Sequence, residues 1–250
     1  MNRKGIARAI LRRLAVRLGI LLEEVRSTVA RETLPRFGNS PQNLRIDLPR
    51  RISNPERIFL GDDVWLGPGA LLNALSHYPT ASTDRPERPP ARQTFTSRIT
   101  IGDRVTSSGG LQIGAHSDVT IESDVLLASN VYITDGQHGY ETAAEPYKYQ
   151  KIGPISPVLI KRGCWIGQNA VILPGVTIGE HTIVGANSVV TESLPDRAIA
   201  VGAPARVIRR WDESSQTWTS AAPHIAEGGT APPADTPLAG LTWPARGPDG

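Results

Sequence analysis

From Val158 to Val190 the apolar residues recur every six positions. Ile160, Ile166, Ile172, Ile178, Val184 and Val190 are all branched aliphatics. Two places before each stand Val158, Cys164, Ala170, Val176, Thr182 and Ser188, all small or β-branched. A helix repeats at 3.6 residues and a simple strand at two, so a strict six fits neither as one long element. It fits a short strand and a turn, repeated. Each hexad then forms one flat side of a triangular coil with its aliphatic residue inward, which predicts a parallel β-helix in the all-β class.

The same two columns run through Ile58, Leu60, Val64, Leu66, Ala70 and Leu72, opened by Ile52, and again from Ile99 to Ile133. There the register slips. Ile113 to Ile121 is eight residues rather than six, so Gly114–Asp118 should make one widened corner. Fifteen column residues at three sides per coil give about five coils. Residues 73–97 and 134–157 break the repeat and read as excursions from the coil. Loops of that length inside a compact domain tend to be functional or disordered.

Gly5 to about Arg31 predicts a helix, with Ile6, Ile10, Leu14, Leu18, Leu21, Val25 and Val29 at steps of three and four. Arg8, Arg12, Arg13 and Arg17 flank that stripe, and Leu34-Pro35 ends it. The stripe has two readings: a face packed on its own domain or on a partner subunit, or peripheral membrane contact through residues 1–33. After Val190, a last strand over Ala198–Val201 should lead through a Gly-Ala-Pro turn into a short basic C-terminal helix. From Glu213 the chain is rich in Pro, Gly, Ala, Ser and Thr, and a disordered tail is expected. The expected organisation is a basic amphipathic helix over 1–34, a β-helix domain over 52–211 and a tail over 213–250.

Charge and cysteine usage narrow the setting. Residues 1–33 carry eight Lys/Arg against three Glu, so the net +3 of the chain hides a body of net −2. The basic balance belongs to the first segment, and nucleic acid is not an expected partner. The single cysteine, Cys164, excludes an intramolecular disulfide and falls on an inward position as a small buried hydrophobe. No apolar run reaches the roughly 18 residues of a membrane span, and no cleavage-site pattern follows the basic start. A cytoplasmic protein is the expectation.

Chemistry is sought where the repeat breaks. The sharpest departure is TDGQHGYE, Thr134–Glu141. His138 stands just past a strand, between Gly136 and Gly139, and an imidazole can take a proton from a hydroxyl or amine. Asp135, Tyr140 and Glu141 are near enough in sequence to orient that ring or touch an acceptor. A loop histidine without a role is the alternative that these residues alone leave open.

The repeat, the histidine-bearing excursion and the ending IVGANSVVTESLPDRAIAVGAPARVIRR resemble the hexapeptide-repeat acyltransferases, above all the sugar O-acetyltransferases of the maltose/galactoside type and those that decorate capsule or exopolysaccharide. The resemblance covers about Ile52 to Trp211. It implies a left-handed coil, a homotrimer with sites between neighbouring subunits, and acetyl-CoA as co-substrate, with no metal. It implies His138 as general base for direct attack of an acceptor hydroxyl on the thioester. Trp165 matches the position along the pantetheine arm, and Ala186 one whose backbone contacts the pantetheine amides. Thr191, Arg206 and Arg209 match positions that hold the adenosine phosphates, for which hydroxyl and guanidinium donors suit. Gln168, in the cofactor strip, replaces a common Ser or Gly, and Glu192 replaces a common lysine. Ser108 falls near an acceptor-contacting position.

Three rivals stay open beside a sugar or glycan O-acetyltransferase. A xenobiotic (antibiotic) acetyltransferase shares fold and co-substrate. A non-catalytic β-helix interaction module would need neither. A metal enzyme resembling the γ-class carbonic anhydrases needs clustered histidines, whereas His77, His116, His138, His181 and His224 are scattered.

Overall fold

The computed structural model describes residues 3–78 and 92–221, with residues 3–10 described for the backbone alone. The hexads form three parallel sheets, visited in turn. The first stacks Arg45–Ile46, Trp65–Leu66, Thr106–Ser107, Leu126–Leu127, Trp165–Ile166, Ile183–Val184 and Ala198–Gly202. The second runs from Arg50–Ser53 to Val189–Val190, and the third from Ile58–Leu60 to Thr177–Ile178. Among the described residues, five turns have strands on all three sides. A sixth is closed by a bridge between Ile178 and Leu194.

Side chains alternate in and out along a strand, so the column residues fill one continuous core. Ile113, Ile121, Leu127, Ile133, Ile160 and Ile172 are all fully buried there. The polar residues on inward positions find partners: Thr182 Oγ1 donates to Pro195 O at 2.6 Å, and the Gly202 amide donates to Ser188 Oγ at 3.1 Å. Cys164 occupies such a position, 2.9 Å from Gly179 O. Burial pushes its thiol up to about 11. Thiol reagents at neutral pH should therefore leave the native chain unlabelled and modify one site after denaturation. Fast labelling of the native protein would contradict this packing.

The corners need left-handed backbone. Between the third and first sheets it is supplied by Asp63, Arg104, Asp124, Gly163, His181 and Arg197, with φ from 53° to 71°. Between the first and second sheets, Asn130, Asn169 and Asn187 take the same conformation. Their side-chain amides form a ladder, Asn130 to Asn169 at 3.2 Å and Asn169 to Asn187 at 3.0 Å. Asn tolerates this region better than most residues because its short amide bonds locally.

Three expectations change. The coil begins at Arg45, a side before Ile52, because Ile46 pairs with Leu66 inside a charged NLRIDLPRR stretch that hides the column. The predicted C-terminal helix is instead a strand, Ala205–Asp212, antiparallel to Ala198–Gly202. The free edge of that last parallel strand offers unpaired N–H and C=O groups, which a strand satisfies and a helix cannot. Within the segment expected to be disordered, Thr217–Ser220 is instead a further strand, with Trp211 edge-on to Trp218 at 5.4 Å. The rest of that tail, 222–250, lies outside the described residues, as do residues 79–91 of the first excursion.

The N-terminal helix spans Arg3–Glu32. It is anchored at its C-terminal end, where Ala30 is buried and Arg26 Nη2 donates to Leu48 O at 2.5 Å. Among the described residues, no helix is long and apolar enough to cross a membrane.

Candidate active site

Every break in the repeat leaves the coil at one corner, between the second and third sheets. The excursion after Ala74, the wide turn at His116 and Ser117, and the excursion after Thr134 stack there on successive turns. The corner is wide because it contains a carboxylate. Asp135, fully buried, accepts the His116 amide on Oδ1 at 2.6 Å and the Ser117 amide on Oδ2 at 2.7 Å. Its Oδ1 also lies 3.2 Å from His116 Nδ1. The two extra residues in the repeat are thus held by Asp135.

His138 ends a short strand, Gly136–His138, that pairs antiparallel with Ile152–Ile155. Two glycines permit the close packing. A Cβ on Gly136 would come within 2.7 Å of His116 Nδ1, and one on Gly139 within 2.5 Å of Lys151 O. The His138 ring is exposed and meets Tyr78 edge-on at 5.4 Å. Tyr78 comes from the other excursion and bonds through its hydroxyl to Lys148 O. Phe95 meets His116 edge-on at 5.3 Å. Gln93 joins the excursions by donating to Ile152 O at 3.0 Å and accepting the Ile152 amide at 2.7 Å. The two excursions share a small core of Tyr78, Phe95 and Ile152.

The sequence-derived candidates separate into two groups. His138, Asp135, Tyr140 and Glu141 gather at this corner. Asp135 directs its carboxylate to His116 and Ser117 rather than to His138, while Tyr140 and Glu141 are exposed. The second group lies on and around the first sheet. Trp165 is 49% exposed and in register with Ile183, Ile199 and then Arg209. Ser108, Gln168 and Ala186 are exposed at the corner between the first and second sheets. Thr191 is exposed past the last strand of the second sheet. Arg206 points a guanidinium to within 3.9 Å of Glu192. Both of these partners are well exposed, so the pair holds Arg206 only loosely.

In a triangular cross-section the corner between the second and third sheets is opposite the first sheet. His138 and Trp165 therefore lie on opposite sides of one chain. His116, Tyr78 and Phe95 were not among the sequence candidates. The only signal for His116 was the register slip around it. Among the described residues, no group of three His, Cys, Asp or Glu side chains could hold a metal ion.

Residues 157–192 match the family described as bacterial transferase hexapeptide (six repeats), so this block carries the repeat of the hexapeptide transferases, a likeness that implies a left-handed β-helix. Among its relatives, "Putative lipopolysaccharide biosynthesis O-acetyl transferase WbbJ" of Escherichia coli is 36% identical over 129 residues, 49% of this chain and 66% of that protein. Galactoside O-acetyltransferase of Escherichia coli is 36% identical, over 48% of this chain and 58% of its own length. "Probable acetyltransferase Rv3034c" of Mycobacterium tuberculosis is 32% identical, over 71% of this chain and 58% of its own. The chain thus spans less than two thirds of each relative. Among solved structures, the Bacillus cereus N-acyltransferase AntD, in complex with dTDP and coenzyme A, superposes with a TM-score of 0.56 at 22% identity, over 72% of this chain and 87% of that one. At that identity the likeness is one of fold.

Proposed function

We propose that this chain is an acetyl-CoA-dependent O-acetyltransferase acting on a hydroxyl of a sugar, polysaccharide or glycan precursor, with His138 as general base. The observation that carries the reading is the corner where both excursions meet around His138. It supplies an exposed imidazole on a braced support, and the named relatives include a galactoside O-acetyltransferase. His138 takes the proton of the acceptor hydroxyl as its oxygen attacks the thioester carbonyl. The tetrahedral intermediate collapses with loss of the CoA thiolate, which recovers the proton from His138. No acyl group passes through the protein.

The strip Trp165–Ile183–Ile199–Arg209 suits the co-substrate chemically. An exposed aromatic and two aliphatics match a pantetheine arm, and arginines at the hairpin match phosphates. Because His138 and Trp165 face opposite ways, one chain holds each half of a site. A homotrimer that sets the corner of one copy against the first sheet of the next completes it. Replacing Trp165 by alanine should raise the KM for acetyl-CoA about three- to tenfold with a smaller change in kcat, as expected for about 0.5–1.5 kcal/mol of lost ring contact. A change confined to kcat would move Trp165 out of the binding strip.

The activity test is acceptor-dependent release of free CoA thiol with a panel of mono- and oligosaccharides, nucleotide sugars and hydroxylated antibiotics. The buried Cys164 contributes little background. Release with sugars that vanishes in His138→Ala supports the reading. Release with antibiotics alone would move the acceptor class to xenobiotics.

A further inference from the structure

We infer that the N-terminal helix is a docking element for an anionic membrane surface, independent of the activity proposed above. The helix is thirty residues long, about 45 Å at 1.5 Å per residue, and among the described residues its hydrogen bond to the β-helix and its buried Ala30 lie toward its C-terminal end. From Leu11 to Val29 its nine large apolar side chains are 43–65% exposed. At 100° per residue, Leu11, Leu14, Leu18, Leu21, Leu22 and Val25 share one side, and Arg12, Arg13 and Arg17 lie outside that arc. An exposed face of this size needs an occupant.

Charge decides which occupant. Residues 3–17 carry six Lys/Arg and no acidic residue, whereas 18–32 carry three Glu and two Arg. A second copy lying parallel alongside, as in a rotationally symmetric assembly, would set arginines against arginines along the outer half, which is repulsive. An anionic lipid surface pairs with them and takes the leucine side into its apolar boundary. The arginine stems can lie along the apolar face with the heads at the phosphates. The remainder of the chain is net negative and gives no such attraction, so the polarity belongs to this element alone.

The test is co-sedimentation of the full chain with vesicles of phosphatidylglycerol mixed with phosphatidylcholine, against vesicles of phosphatidylcholine alone. Binding to the first, abolished by salt and absent from the second, is expected. The combined variant Arg12→Glu, Arg13→Glu, Arg17→Glu should weaken it by about a hundredfold or more, at roughly fivefold for each basic side chain near the surface. Leu14→Ser with Leu18→Ser should also weaken binding, while thermal unfolding stays at the wild-type value, since both side chains are exposed. A wild-type chain that stays in the supernatant with the anionic vesicles overturns the inference, as does equal binding to both kinds. So does a leucine variant that lowers the native mass without changing vesicle binding, which would give the face to a second copy.

Discussion

Replacing His138 by alanine should lower turnover at saturating substrates about 10²–10⁴-fold, the usual contribution of a general base. The variant should still fold. The His138 ring is exposed and makes an edge contact with Tyr78, worth about 0.5–1.5 kcal/mol. A loss of rate without a matching loss of stability would separate chemistry from folding. The KM for acetyl-CoA should change little, because the proposed contacts to acetyl-CoA are made by Trp165 and the hairpin arginines and not by His138. Steady-state kinetics with urea unfolding on the same preparation measures both. Turnover within a few fold of wild type would remove His138 from the reaction.

Asp135→Ala should act the other way round, through structure first. The buried carboxylate holds two backbone amides, those of His116 and Ser117. Removing it leaves both without their acceptor, at about 1–3 kcal/mol for each donor left unsatisfied. A total loss of roughly 2–6 kcal/mol is expected, with a fall in kcat because the His138 strand starts one residue beyond Asp135. Asp135→Asn keeps one acceptor oxygen and should fall between the two. Chemical denaturation of the pair, read beside kcat, checks this order. An alanine variant as stable as wild type would show that the widened corner is held by other contacts.

The coil was legible because its demand is repetitive. Six residues per side and a branched aliphatic inward leave the same mark from Ile160 to Val190, and the structure buries those column residues. The strand at Ala205–Asp212 was not legible as a strand. ARVIRRWD spaces its apolar residues compatibly with either period, and only the free sheet edge decides between them. The contacts of Tyr78 with His138, Gln93 with Ile152 and Phe95 with His116 were hidden for another reason. They join the two excursions and the wide turn, which share no period, across many residues, so nothing local in any of these segments records them. His138 was singled out because a histidine between glycines at a break is conspicuous. The opposite placement of Trp165 needed the three-sided topology.

The spacing of strand partners also bears on how the chain assembles. In the uninterrupted block Trp165 pairs with Ile183 and Val171 with Val189, eighteen residues on in each case. Across the excursions Leu126 pairs with Trp165, thirty-nine residues on, and Trp65 with Thr106, forty-one on. Each doubling of a closed loop adds only about 0.6 kcal/mol of entropy cost, and this falls on the turns that carry an excursion. The shorter loops give the block from Val158 to Val190 the most local contacts, the kind that form fastest. Nucleation in that block followed by growth toward the N-terminus makes the turn that bears His138 the first to close beyond it, on a template already set.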